Sequence, residues 1–95
     1  MKGIRMKAPT VTNMTSSNGN KVANQFLIWT EEAQYFQSYQ TIIAKRDNEG
    51  NIYLDKNRYD YSVTTSRYRN KYLNMTTKEI EKKISSGEII LTDLN

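Results

Sequence analysis

Ninety-five residues, 37% of them hydrophobic and 25% charged, bound this chain to one domain at the polar end of the globular range. It has no cysteine and no histidine, which excludes a disulfide framework, Cys–His or Ser–His nucleophilic pairs and the usual zinc ligand sets. The formal net charge of +4 is unevenly spread: residues 1–21 hold four bases and no acid, residues 56–74 sum to +4, and the remainder sums to −4 (five bases against nine acids).

In chain order, Met1–Asn20 shows neither a period of 2 nor one of 3.6. It carries Lys2, Arg5 and Lys7 with Pro9 and a run of Thr, Ser and Asn, and is expected to be a flexible basic tail. That tail is either a plain solubilising leader or an extra arm for nucleic acid. About 75 residues, 21–95, are left for a single domain, near the lower limit for folding without staples. A homodimer would be one route to burying more apolar surface. No apolar run approaches membrane-spanning length, and no apolar segment follows the basic N-terminus, so neither a membrane anchor nor secretion is expected.

Lys21–Thr30 alternates, with Val22, Phe26 and Ile28 on one face and Leu27 and Trp29 on the other, and predicts a strand whose second half is buried on both sides. Thr30–Ala33 reads as a turn and Gln34–Tyr39 as its antiparallel partner. Thr41–Lys45 is a third strand or a continuation of the second. Asp47-Asn48-Glu49-Gly50 predicts a hairpin turn, with Gly50 free to take positive φ. Ile52–Leu54 returns as a short peripheral strand.

Ser62–Asn74 has helical rhythm: Thr64, Tyr68 and Tyr72 recur at spacing four with Leu73 beside them, Arg67 and Lys71 lie on another edge, and Ser62 is a candidate N-cap. Thr76 with Glu79 predicts a capping box, and Met75 with Ile80 the matching hydrophobic staple. Gly87 is placed to end that helix. Ile89–Leu91 predicts a buried final strand. The expected fold is α+β: a small antiparallel sheet of about four to five strands with two helices, in the order β-β-(β)-β-α-α-β.

The candidate site lies in KNRYDYSVTTSRYRNKYLN, residues 56–74, where four of the seven tyrosines meet five bases and one acid. Cations meet phosphate or carboxylate, and rings stack or pack, so the segment suits an anionic partner. Arg58, Tyr59, Tyr61, Thr64, Arg67, Arg69 and Lys71 are the candidate contacts, and the Thr64-Thr65-Ser66 hydroxyls at the helix start offer a place for phosphate. A structural role is the competing reading, with the tyrosines facing the core and the cations solvated. Tyr59 and Tyr61 alternate, so one is expected to face inward and one outward. Glu31/Glu32 and Glu79/Glu81 read as solvated surface, Asp60 as a group that caps or orients the helix, and the four glycines are isolated. Neither catalysis, a cofactor nor a metal is expected.

VANQFLIWT, YFQSYQTIIAK, LDKNRYDYSVTTSRYRNKYL and KKISSGEIILTDLN together resemble a family of small bacteriophage-encoded proteins of uncharacterised activity. The resemblance rests on an aromatic-Asp-Tyr-Ser-x-Thr-Thr core (Tyr59 to Thr65), a Tyr-Arg pair (Tyr68-Arg69) and an aromatic-Leu (Tyr72-Leu73). Tyr59 stands where that family usually has tryptophan, and the tail is unmatched. The resemblance implies a viral accessory protein in bacterial cytoplasm. Two functions follow as expectations. One is a non-enzymatic binding protein that holds nucleic acid through the Tyr/Arg/Lys-rich helix. The other is a counter-defence inhibitor of the anti-CRISPR kind, blocking a host nuclease or nucleoprotein complex stoichiometrically. Tyr and Arg are also enriched at protein interface hot spots, so composition does not separate the two.

Overall fold

Six strands and two helices follow one another in a computed structural model that describes residues 8–95: β1 (Thr10–Thr15), β2 (Lys21–Trp29), β3 (Ala33–Ser38), β4 (Thr41–Asp47), β5 (Ile52–Asp55), α1 (Val63–Leu73), α2 (Thr77–Ser86) and β6 (Ile89–Thr92). They build one sheet in the order β1-β2-β3-β4-β5-β6, antiparallel through β5 and parallel between β5 and β6. A parallel neighbour requires a long crossover, and residues 56–88, carrying both helices, supply it. The α+β class and the two helices are as expected, but the sheet is larger, and mixed rather than wholly antiparallel.

Several expectations need correction. The supposed tail contains β1, which pairs with β2 from Thr10↔Trp29 to Thr15↔Lys21 through an irregularity between Asn13 and Thr15. Edge strands need bury only one residue in a few, and here Met14 is the buried one, so no period of 2 is visible in composition. Lys2, Arg5 and Lys7, expected to form a nucleic-acid arm or leader, lie outside the described residues. β5 is not peripheral: it stands between β4 and β6, with Leu54 and Asp55 buried. β6 instead is the edge, so Ile89 is buried while Ile90 and Leu91 remain exposed. Trp29, expected to be buried on both sides, is also exposed, because it faces Thr10 at the end of the β1 edge.

Local signals for the helices behave as their chemistry dictates. Ser62 caps α1, its Oγ accepting from the Thr65 amide at 3.0 Å. α1 ends in a Schellman arrangement: Asn74 takes φ 57°, its amide donates to the Lys71 carbonyl, and the Met75 amide donates to the Asn70 carbonyl. Thr76 and Glu79 form a reciprocal capping box on α2, which ends at Gly87 with φ 85°. The backbone amide of Thr76 bonds the Glu79 carboxylate and holds its pKa below the ordinary value.

The molecule measures 50 × 34 × 20 Å, the thickness of a sheet with one helical layer. Phe36, Ala44 and Leu54 stand in register across β3, β4 and β5 on the covered face, where Leu73 and Ile80 from the helices and Ile89 from β6 complete the core. The opposite face carries one continuous cross-strand row, Val11–Ile28–Tyr35–Lys45–Tyr53–Ile90. In that row the Lys45 ammonium sits between two rings, 6.0 Å from Tyr35 and 5.4 Å from Tyr53.

Candidate nucleic-acid interface

The face that α1 turns inward is one residue out of step with its hydropathy. Thr64, Tyr68 and Tyr72 formed the expected stripe, but Thr65, Arg69 and Leu73 are the buried residues, with Tyr68 and Tyr72 half-buried beside them. A cation therefore occupies the central core position. Arg69 is 0% exposed, and its fork is filled from within the chain. Nη1 donates to the Tyr59 carbonyl at 2.7 Å and to Asp60 Oδ1 at 3.4 Å. Nη2 donates to Asn70 Oδ1 at 2.8 Å and Thr77 Oγ1 at 3.2 Å, while Nε donates to Asn70 Oδ1 at 3.1 Å. The guanidinium also lies 5.7 Å from the centre of the Tyr59 ring. Only the planar, five-donor guanidinium can gather the Tyr59–Asp60 loop, α1 and the first turn of α2 at one point. Arg69 is thus withdrawn from the candidate contact set.

The helix start is likewise occupied. Thr65 Oγ1 is buried against Ser38 Oγ at 2.9 Å, and Ser66 Oγ donates to Asp60 Oδ1 at 2.8 Å. With a carboxylate already at the positive end of the dipole, the expected phosphate position there is closed. Asp60 is therefore an orienting group, and Ser62 is the cap.

The remaining candidates fall in three places. Tyr61, 46% exposed, and Arg67 share a shallow groove of about 570 Å³ with Asp60, Ser62, Ser66 and Asn70. Thr64, Arg67 and Lys71 form an exposed ridge on α1, and neither cation is paired with a carboxylate among the described residues. Lys71 additionally donates from Nζ to the Thr15 carbonyl, which ties the ridge to the end of β1. Arg58 stands apart in a cleft with Asp55, Asp93 and Asn95, an acidic neighbourhood. Tyr59 faces inward, packed against the core, and its hydroxyl reaches Glu81 Oε2 at 3.4 Å. Burial, reinforced by the charges of Glu81 and Asp60, pushes its pKa up.

One cation was missed by the sequence reading. Arg46, on β4, lies on the helix-covered face, paired with Gln34 on β3 and Ile52 on β5. Its guanidinium sits 5.4 Å from the centre of the Tyr72 ring. Simple alternation assigns it to the outer face. The bulge between Phe36 and Gln37, where β4 contributes an extra residue, shifts the parity.

No cluster of three or more acidic residues suited to a metal ion exists among the described residues, and no helix there is long and apolar enough to cross a membrane. What the geometry defines is a two-layer α+β domain with a cationic ridge on one helix. The chain belongs to DUF8033, a family of unknown function, which matches residues 10–89. That span begins at β1, so the family unit includes the strand that composition hides. No curated protein and no solved structure matches the chain.

Proposed function

We propose that this is a non-enzymatic binding protein whose α1 ridge holds an anionic partner, nucleic acid, through Arg67 and Lys71, with Thr64 and the ring of Tyr61 beside them. The observation that carries this reading is a contrast within one helix. Arg69 is consumed internally by five hydrogen bonds, while Arg67 and Lys71 are exposed with no carboxylate partner among the described residues. Two cations four residues apart are about one helical turn from each other, close enough to track one strand.

Mobility-shift titrations against DNA and RNA at two salt concentrations test it. Affinity is expected to fall steeply with salt, and Arg67→Glu with Lys71→Glu should abolish binding while circular dichroism stays native. A folded double variant that binds as tightly as wild type overturns the reading.

A second reading, stoichiometric inhibition of a host nuclease or nucleoprotein complex by a phage accessory protein, is favoured by the sheet face opposite the helices. Its row of Val11, Ile28, Tyr35, Tyr53 and Ile90, with Lys45 between the two rings, is the kind of aromatic, largely apolar surface that protein interfaces use. Capture of a host protein that survives nuclease treatment and is lost on Tyr53→Glu would select this reading over the first.

A further inference from the structure

Between α1 and the β1–β3 end of the sheet lies a second cleft, of about 290 Å³, on the helix-covered side. Its wall includes Met14, Leu27, Gln34, Arg46, Lys71 and Tyr72. Two cations converge here, and no carboxylate is among the lining residues. A charge on the covered face of a sheet ordinarily comes with a counter-charge, because desolvation penalises the ion. Arg46 is half-buried and has none among the described residues, nor does its guanidinium donate a hydrogen bond there.

One wall of the cleft is held by packing and a hydrogen bond. The Tyr72 ring stacks on Phe36 at a centroid distance of 5.9 Å, and its hydroxyl donates to the Gln34 carbonyl at 3.3 Å. Burial pushes the pKa of that hydroxyl up to about 12, so it remains a neutral donor. The Arg46 guanidinium lies 5.4 Å from the centre of this packed ring, and its N–H groups have no acceptor among the described residues. Lys71 is held at the rim by the Thr15 carbonyl, which uses one of its three ammonium protons. Stacking on Tyr72 accounts for the position of Arg46, but it leaves the positive charge of the pair uncompensated.

We propose that this cleft is a phosphate-binding site, in which the Arg46 guanidinium meets one phosphate oxygen pair edge-on and the Lys71 ammonium meets another. Its volume is at the small end for ligand sites, so it takes a single phosphate group rather than a whole nucleotide. The planar fork of Arg46 suits a tetrahedral oxyanion, and Met14 and Leu27 supply the apolar part of the wall. The inference shares Lys71 with the ridge reading but turns on Arg46, which is not on the ridge, while Arg67 is not in the cleft, so Arg46 and Arg67 substitutions separate the two.

The full chain, isotope-labelled, is titrated with inorganic phosphate, a nucleoside monophosphate and a short single-stranded oligonucleotide at fixed ionic strength. The Arg46 Nε–H and the Thr15 and Lys71 amides should shift with at least one of these. Arg46→Met should weaken that binding about tenfold or more, and Arg46→Lys less, while Lys82→Gln on α2 leaves it unchanged. Phosphate or the monophosphate acting alone identifies a free ligand, whereas the oligonucleotide acting alone identifies a backbone phosphate; both support the site. Shifts confined to Val63–Arg67 overturn the cleft and leave the ridge reading intact. Folded Arg46→Met that binds all three probes like wild type also overturns it; amide dispersion and the urea midpoint report whether that variant is folded.

Discussion

Replacing Arg69 by alanine asks whether the central cation of α1 is a contact or a structural tie. In the folded chain it makes five hydrogen bonds to four residues, and its side chain is fully buried. Asp60, at 54% side-chain exposure, recovers water when the guanidinium goes, so little of the loss comes from the ion pair. The cost arises elsewhere. The Tyr59 carbonyl and Asn70 Oδ1 lose charge-assisted donors, at about 1–3 kcal/mol for each group left unsatisfied, and the aliphatic stem leaves a void against Tyr59. The unsatisfied acceptors and the void together give an expected loss of about 3–5 kcal/mol. That is a large fraction of the roughly 5–15 kcal/mol that stabilises a typical domain. Arg69→Lys keeps the charge but not the fork, and should recover less than half of the loss. Urea titration followed by far-ultraviolet circular dichroism measures both, with the midpoint falling and the slope unchanged. If Arg69→Ala kept the wild-type midpoint to within about 0.5 kcal/mol and instead lost affinity for nucleic acid, the assignment of Arg69 to the interior would be refuted.

Two further substitutions probe buried polar groups. Gln25 is 0% exposed, and neither polar atom of its amide has a hydrogen-bond partner among the described residues, so Gln25→Met should raise the urea midpoint, by about 1 kcal/mol in stability; a fall of that size would show that the amide is satisfied in solution. Asp55 is buried. Burial alone would raise its pKa, but the Leu94 amide at 2.9 Å, the Asn95 side-chain amide at 3.2 Å and the Asn57 amide at 3.3 Å outweigh that and hold the carboxyl below its ordinary 3.8. Its stabilising contribution is therefore complete above the unfolded carboxyl's range and disappears as pH falls through the depressed folded value, below about pH 4. Asp55→Asn should cost about 1–3 kcal/mol at neutral pH and flatten the acid limb of thermal stability measured from pH 7 to pH 2; an unchanged acid limb would show that the carboxylate is not a tie.

Much of the local architecture was legible in the residues because its causes are local. The capping box at Thr76 and Glu79, the Ser62 cap, the turn at Gly50 (φ 88°) and the stop at Gly87 are each settled by neighbours within a few positions. What needed the fold is whatever depends on partners distant in sequence. β1 is a strand because β2 offers it a ladder, and β5 is interior because the helical crossover returns β6 beside it. Of the seven candidate contacts, Arg67, Lys71, Thr64 and Tyr61 lie on or beside the ridge of α1; Arg58 is elsewhere, Tyr59 packs inward and Arg69 is buried.

The residue pattern by itself determined that this chain is a small α+β domain with cations and rings concentrated around one helix. Only tertiary structure decided which of those cations are available. A hydropathy period treats every arginine as solvent-seeking, but an arginine can be buried wherever the chain brings a loop carbonyl, an amide and a hydroxyl to its fork. That convergence sends Arg69 inward and leaves Arg67 outside, and a single extra residue in β4 brings Arg46 beneath the helix. The physical reason is common to both: side-chain type is local, but the company that satisfies a charge is assembled by the fold.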